Sequence, residues 1–214
     1  CPLDRYLQAA DRGRTPDPLD SGAVVLPADL LARLRDRLLA TGYTIDGVRD
    51  RLGDVAAAAL AREQLVPAER ATRAPDPLGA LIRLWWLGLA VPERHLDLPV
   101  DGLVAAGLLH RDGDEVRAAV HLQPWESGGY LVSDRKVRPG DPALRPDHVV
   151  GAGGASANLA NLVIRRPVES ALDLGTGCGG QVLHLAGRAG RITATDVNPR
   201  ALDLARLSWA LSGI

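Results

Sequence analysis

Apolar residues recur every three to four positions from about residue 27 to residue 106, which predicts a largely helical N-terminal part, while residues 1–25 show little periodicity. The clearest run is Leu30, Leu34 and Leu38, which follows Pro27 and ends before Gly42. Proline suits the first turn of a helix, and glycine suits the position just after its end. The predicted helices cover residues 3–10, 27–42, 44–52, 54–66, 76–89, 92–96 and 99–106, with a loop over 67–77.

The pattern changes to alternation after residue 107. Apolar residues from Val116 to Leu122 alternate with more polar ones and predict a strand through Gln123, followed by a turn at 127–129 and a second strand over 130–133. The predicted order from residue 77 onward is that of a winged helix-turn-helix, which has a helix, a short helix, another helix and then a hairpin. We therefore predict a winged-helix-like part over about 77–133.

The last third of the chain predicts alternating helices and strands. Prolines and charges over 134–147 indicate a linker. Beyond it we predict a helix over 155–163, strands over 170–174 and 191–196, and helices over 181–189 and 199–211. A strand–helix–strand–helix unit favours a parallel α/β sheet, but about 45 residues cannot bury a sizeable core alone.

These patterns predict two domains: a mostly helical accessory domain over 1–146 and the first part of an α/β domain over 147–214. The chain has no methionine, even at position 1, and we expect it to be a piece of a longer polypeptide.

Composition narrows the classes of function. Twenty-five basic residues against 26 acidic ones give a net charge of −1, which excludes an overall basic footprint for nucleic acid. The sequence lacks a stretch of about 18 consecutive apolar residues, so we predict no membrane span. Two cysteines are too few for a disulfide framework and favour a cytoplasmic protein. The five histidines lack metal-ligand spacing with each other or with cysteine, so we expect no metal site.

The glycine-rich segment 175–180 carries the candidate chemistry. Glycine lets the backbone approach a ligand closely, because no Cβ intervenes. Gly175, Gly177 and Gly180 fit the dinucleotide spacing, while Gly175, Gly177 and Gly179 fit the spacing of an S-adenosylmethionine turn. The glycines alone leave both ligands open.

Two aspartates favour the second ligand. Asp173, two residues before the first glycine, would repel the pyrophosphate of a dinucleotide. The same carboxylate attracts the sulfonium and ammonium groups of S-adenosylmethionine. Asp196 follows the second predicted strand, where a carboxylate can accept hydrogen bonds from both ribose hydroxyls of either ligand.

The run from Asp173 to Gly179, followed by 194–202, resembles motifs I and II of class I S-adenosylmethionine-dependent methyltransferases. Within that superfamily it is similar to the group that contains release-factor N5-glutamine methyltransferases and ribosomal RNA N-methyltransferases. The resemblance implies a Rossmann-like fold and a cofactor site made of Asp173, Gly175, Thr176, Gly177, Cys178, Gly179, Asp196, Val197 and Asn198.

In this implied site Asp173, Gly175 and Gly177 line the methionine end, Asp196 holds the ribose and Val197 flanks the adenine. The family's catalytic Asn-Pro-Pro-aromatic motif does not occur in the sequence, and Asn198 belongs to motif II. We therefore assign no catalytic residue.

The resemblance implies methylation of a nitrogen on a macromolecule, either a protein glutamine or an RNA base. A small-molecule methyltransferase, a winged-helix nucleic-acid-binding module with a non-catalytic cofactor fold, and an NAD-dependent oxidoreductase remain alternatives. The basic run Arg135, Lys136, Arg138 and Arg145 is a candidate for phosphate contact. The predicted helix over 99–106 has one acid and no base, which disfavours reading of a DNA groove.

Overall fold

A computed structural model describes residues 26–125, 128–137 and 143–214, and the predicted helix over 3–10 lies outside them. The described chain is a mixed α/β structure. Its helices are α1 (Ala28–Ala40), α2 (Ile45–Ala61), α3 (Val66–Ala71), α4 (Pro77–Leu81), α5 (Val100–Ala105), α6 (Gly154–Leu162), α7 (Gly180–Leu185) and α8 (Pro199–Ser212). Its strands are β1 (Val91–Pro92), β2 (Leu109–Asp112), β3 (Glu115–Ala118), β4 (Val120–Trp125), β5 (Gly129–Asp134), β6 (Val168–Leu174) and β7 (Ala189–Thr195).

The first two helices follow the sequence pattern closely. In α1 the predicted apolar face of Leu30, Leu34 and Leu38 is buried. The helices predicted over 44–52 and 54–66 are the two segments of α2 on either side of Gly53, whose φ of 72° and ψ of 163° break the helix. The second segment ends at Ala61, five residues before the predicted end.

Three predictions between residues 66 and 96 are wrong in detail. The predicted loop over 67–77 contains α3, because Pro67 occupies the first turn of that helix, where no N–H is required. The helix predicted over 76–89 is the short α4, capped by the Asp76 carboxylate, and a π-helical turn over Ile82–Trp86. The short helix predicted over 92–96 is a 3₁₀ turn over Glu93–His95.

The strand predicted over 116–123 is divided between two sheets. Its first half is β3, which pairs antiparallel with β1 and β2 in the order β1-β3-β2. Its second half belongs to β4, which pairs with β5 as the sequence predicts. The division falls at Ala119, whose N–H donates to the Leu108 carbonyl at 2.9 Å in register with the β2–β3 pairing, and the pairing with β5 begins at the next residue, Val120.

The C-terminal strands β6 and β7 are parallel, joined through α7, as the strand–helix–strand–helix pattern predicts. The register places Asp173 beside Ala194 and Leu174 beside Thr195. Leu172 and Leu174 of β6 are 59% and 74% exposed, although parallel sheets are normally covered on both faces.

The apolar core crosses the predicted linker. Leu204, Leu207 and Leu211 of α8 belong to the same buried cluster as Leu131 of β5 and Leu34 of α1. Each of these side chains is at most 3% exposed. The hairpin β4–β5 is therefore packed against the last helix of the chain.

Hydroxyl groups of α8 also bond to the backbone of β5. The Val132 N–H donates to Ser208 Oγ at 2.8 Å, and the Tyr130 N–H donates to Ser212 Oγ at 2.9 Å. These bonds satisfy the edge of a two-stranded sheet that would otherwise present unpaired amides. No helix in the part of the chain that the structure describes is both long and apolar enough to cross a bilayer.

Candidate functional site

The glycine-rich segment forms a tight turn between β6 and α7. Gly175, Gly177 and Gly179 have φ values of 70°, 55° and 88°, a region that side-chain-bearing residues rarely adopt. The N–H groups of Gly175 and Thr176 both donate to the Thr195 carbonyl, at 2.8 and 2.9 Å. The turn is thus fastened to the carboxyl end of the neighbouring strand.

The three glycines have different surroundings. A Cβ built on Gly175 or Gly177 meets no heavy atom within 4 Å, so the missing side chains leave open space beside the backbone. A Cβ on Gly179 would lie 2.4 Å from Trp209 Nε1, which itself donates a hydrogen bond to the Gly179 carbonyl at 3.0 Å. The first two glycines keep backbone accessible to a ligand, and the third allows α8 to pack closely.

Asp173 lies in β6, one residue before the end of the strand, and is 9% exposed. Its Oδ2 accepts a hydrogen bond from the Thr176 hydroxyl at 2.7 Å. Thr176 is itself buried, so the two side chains form a polar pair under the turn. This bond fixes the orientation of a nearly buried carboxylate directly beneath the accessible glycines.

Asp196 follows the end of β7 and reaches across to the same turn. Its Oδ2 accepts from the Gly177 N–H at 2.8 Å, and its Oδ1 accepts from the Asn198 N–H at 2.9 Å. An ionised carboxylate offers about four acceptor positions, so these two bonds leave further positions on the half-buried side chain. The structure brings Asp173 and Asp196 to one glycine turn, at the carboxyl ends of two adjacent parallel strands.

Val197 and Asn198, also predicted for the site, have contrasting environments. The Val197 side chain is 98% exposed beside Asp196. Asn198 caps α8 by accepting from the Arg200 N–H at 3.0 Å, and its Nδ2 donates to the Asp147 carbonyl at 2.8 Å. Asn198 therefore joins the loop after β7 to the segment before α6.

Cys178 is buried within the turn at 4% exposure. Burial raises the pKa of its thiol, so the side chain is a neutral packing group at pH 7.

An ion pair that sequence reasoning missed lies next to the candidate site. Arg200, in the first turn of α8, donates through Nε to both carboxylate oxygens of Asp134, at 3.2 and 3.1 Å. The two side chains are 9% and 11% exposed. The Asp134 carboxylate also accepts from the Val149 N–H at 2.8 Å. No local pattern in the sequence signals this pair, because Asp134 lies at the start of the predicted linker and its partner is 66 positions further along the chain.

Within the described ranges, no group of three or more His, Cys, Asp or Glu side chains is arranged to hold a metal ion. The polar groups that meet at the turn are carboxylates and backbone amides. They suit a ligand that carries positive charge and hydroxyl groups better than one that carries phosphate.

Comparisons with known proteins give two findings. A family model described as a domain of unknown function, DUF7059, matches residues 40–119. The chain is also similar to curated proteins named ribosomal protein L11 methyltransferase. The protein from Rhizobium johnstonii is 39% identical over 114 residues, and that from Rhizobium leguminosarum bv. trifolii is 38% identical over 114 residues. Each match covers 46% of this chain and 38% of the relative. The chain therefore spans well under half the length of the curated relatives it matches.

Proposed function

We propose that the chain binds S-adenosylmethionine at the 175–179 turn and serves a class I methyltransferase. The observation that carries the proposal is the convergence of Asp173 and Asp196 on one accessible glycine turn. Two carboxylates favour a cofactor with a sulfonium and an ammonium group, and they oppose the pyrophosphate of a dinucleotide. When bound, the cofactor would supply a methyl group for in-line transfer to a nucleophile.

We assign the two acids different roles in this proposal. Asp173, held by Thr176, would face the charged methionine end. Asp196 would use the acceptor positions not filled by Gly177 and Asn198 to bind the ribose hydroxyls. Gly175 and Gly177 would present backbone to the methionine part, while Thr176, Cys178 and Gly179 would hold the shape of the turn. Val197 would cover the adenine with its exposed side chain.

We propose a nitrogen of a cytoplasmic macromolecule, protein or RNA, as the methyl acceptor. The support is the motif resemblance, together with relatives whose name states that they methylate a ribosomal protein. The exposed Leu172 and Leu174 support a cofactor domain with further elements beyond those of 147–214. The chain's contribution would be to orient the cofactor and to exclude water from one side of it.

We further propose that the N-terminal part is an accessory domain with a winged-helix-like order. The support is the sequence of α4, β1, the 3₁₀ turn, α5, β2 and β3, with β1 beside β3 in the sheet. In this proposal β2–β3 is the wing, rather than the β4–β5 hairpin that the sequence suggested. Helix α5 carries Asp101, which pairs with Arg111 at 2.7 Å, so a structural or substrate-docking role suits it better than groove reading.

Ligand titration tests the cofactor assignment. We expect the chain to bind S-adenosylmethionine and not NADH, as measured by calorimetry or ligand-observed NMR. Asp173→Asn should weaken S-adenosylmethionine roughly tenfold and S-adenosylhomocysteine less, because only the former carries a sulfonium charge. Asp196→Asn should weaken both ligands and adenosine alike, since the ribose is common to all three.

Asp46→Asn is the matched control, because this aspartate is 84% exposed and lies in α2, outside the site. The affinity of the Asp46→Asn variant for each ligand should equal that of the unmodified chain. Preferential binding of NADH, or equal affinities in the Asp173 variant and the control, would refute the assignment.

A further inference from the structure

The loop between β7 and α8 consists of residues 196–198 and carries the carboxylate of Asp196. Packing does little to hold this loop, because its middle side chain, Val197, is 98% exposed and Asp196 is only half-buried. A binding group keeps its geometry only when neighbouring contacts fix it. The position of the Asp196 carboxylate therefore depends mainly on hydrogen bonds.

Asn198 makes three of the hydrogen bonds in this loop. Its backbone N–H donates to Asp196 Oδ1 at 2.9 Å, and its Oδ1 accepts from the Arg200 N–H at 3.0 Å. Its Nδ2 donates to the Asp147 carbonyl at 2.8 Å. The amide oxygen thus faces an N–H and the amide nitrogen faces a carbonyl, so the side chain has one orientation that satisfies both partners.

The segment to which Asn198 is bonded, residues 147–149, is itself firmly held. Val149 is 3% exposed and belongs to the buried apolar cluster. Its N–H donates to the Asp134 carboxylate at 2.8 Å, and its carbonyl accepts from the Asp134 N–H at 3.1 Å. The Asp147 carboxylate pairs with Arg145 at 2.7 Å. Residues 147–149 therefore give the loop a fixed support beside the end of β5.

The contacts form a continuous series from this support to the glycine turn, because Asp196 Oδ2 accepts from the Gly177 N–H at 2.8 Å. We propose that Asn198 is a positioning residue. Its bond to the Asp147 carbonyl holds the Asp196 carboxylate against the turn, in the orientation that accepts the ribose hydroxyls. The ribose part of this inference rests on the proposed function. Asn198 then acts through Asp196 and does not itself touch the ligand.

The variant Asn198→Ser separates this role from helix capping. Serine is a good N-cap and can still accept from the Arg200 N–H, but it lacks the amide nitrogen that reaches the Asp147 carbonyl. Asn161→Ser is the matched control. It makes the same substitution at an exposed position of α6, where the amide oxygen accepts from the Arg165 side chain.

Hydrogen exchange of the unliganded chain gives the first measurement, because it needs no cofactor. The Gly177 amide should exchange about tenfold faster in Asn198→Ser than in the unmodified chain or in Asn161→Ser, since Asp196 would no longer be held against it. The Val132 amide, which bonds to a hydroxyl of α8, should keep its exchange rate. Equal Gly177 rates in the two serine variants would overturn the proposal, and so would a similar increase at both amides, which would indicate general loosening.

Calorimetric titration with S-adenosylmethionine gives the second measurement. Asn198→Ser should weaken binding about fivefold, but less than about twofold in an Asp196→Asn background, where the carboxylate to be positioned is already lost. The full effect in both backgrounds would mean that Asn198 contacts the ligand directly, and it would overturn the proposal. Failure of the unmodified chain to bind S-adenosylmethionine would refute the proposed function instead, and the exchange rates would still decide whether Asn198 positions Asp196.

Discussion

The buried ion pair between Arg200 and Asp134 should contribute strongly to stability. It joins the first turn of α8 to the end of β5, with side chains only 9% and 11% exposed. Arg200 donates through Nε and Nη2 to the carboxylate, which also accepts from the Val149 N–H. Removal of Arg200 leaves the Asp134 carboxylate without the guanidinium that pairs with it in a largely dry environment.

Loss of one partner of a buried pair typically costs about 3–5 kcal/mol, whereas an exposed pair contributes less than about 1 kcal/mol. Because Arg200 and Asp134 retain slight exposure, we expect Arg200→Met to lower the free energy of unfolding by about 3 kcal/mol. Asp134→Asn should lower the free energy of unfolding slightly less, because the amide oxygen of asparagine can still accept a hydrogen bond from the Val149 N–H. The double variant should cost less than the sum of the two, with a coupling of about 2 kcal/mol.

Urea unfolding followed by tryptophan fluorescence measures these differences, since Trp209 lies in α8 itself. The matched control is Arg94→Met, which removes an ion pair whose side chains are 66% and 81% exposed. An Arg200→Met cost no larger than that of this control, or additive effects in the double variant, would refute the reasoning. The result would then mean that apolar contacts and the hydrogen bonds to Ser208 and Ser212, rather than the ion pair, hold α8 against the β4–β5 hairpin.

Three further predictions concern single side chains. Burial lowers the pKa of His121 from 6.5 to about 4, so between these pH values the unfolded chain binds more protons than the folded one. The free energy of unfolding should therefore fall by about 3 kcal/mol as the pH drops from 6.5 to 4. Urea midpoints of His121→Gln across this range should lack that component, and pH curves parallel to those of the unmodified chain would contradict the prediction. Gly179→Ala should lower the free energy of unfolding more than Gly175→Ala does, by at least about 1 kcal/mol, because both substitutions strain the backbone but only the first collides with Trp209. Equal melting temperatures of the two variants would contradict this prediction. Tyr43→Phe should cost about 1–2 kcal/mol in thermal or urea unfolding, because the buried Tyr43 hydroxyl donates to a carbonyl of β4 at 2.7 Å, and an unchanged midpoint would contradict it.

Local patterns predicted the elements whose signals are local. The apolar spacing of α1 and the proline and glycine at its ends gave its position to within about two residues. The break at Gly53 and the strand–helix–strand–helix order of 168–212 were also visible, because glycine and periodicity act over a few residues. The convergence of Asp173 and Asp196 on the turn has a simple physical cause, because the two parallel strands end at the same edge of the sheet.

The division between β3 and β4 could not be predicted from alternation. Val116, Ala118, Val120 and Leu122 are all at most 1% exposed, so the inward-facing pattern continues unbroken through the change of sheet. The change lies in the partner strand, which is β2 up to Ala118 and β5 from Val120 onward, and side-chain periodicity does not record which strand the backbone pairs with. Hydrophobic pattern reports burial, and it reports pairing only when the two coincide.

The contacts between the predicted domains were also invisible in the sequence. Asp134 stands at the start of a segment rich in proline and charge, which reads as a solvated connection. Asp134 is buried in an ion pair only because tertiary packing brings Arg200 to it. In the same way, the hydroxyl groups of Ser208 and Ser212 bond to backbone amides only because α8 packs against β5. The hydrogen bond from the Gly177 N–H to the Asp196 carboxylate is equally invisible in the sequence, because it depends on how β7 packs beside the turn.

The unequal surroundings of the three glycines have an evolutionary consequence. At positions 175 and 177 the open space has value only while a ligand occupies it, so selection on these glycines would relax, apart from their backbone geometry, in any descendant that no longer used one. Position 179 is filled by the indole of Trp209 and would stay under selection as long as the chain folds at all. The glycines of this turn are therefore retained for two different reasons, ligand binding and packing. Retention of the last glycine alone would be evidence of common ancestry and not of activity.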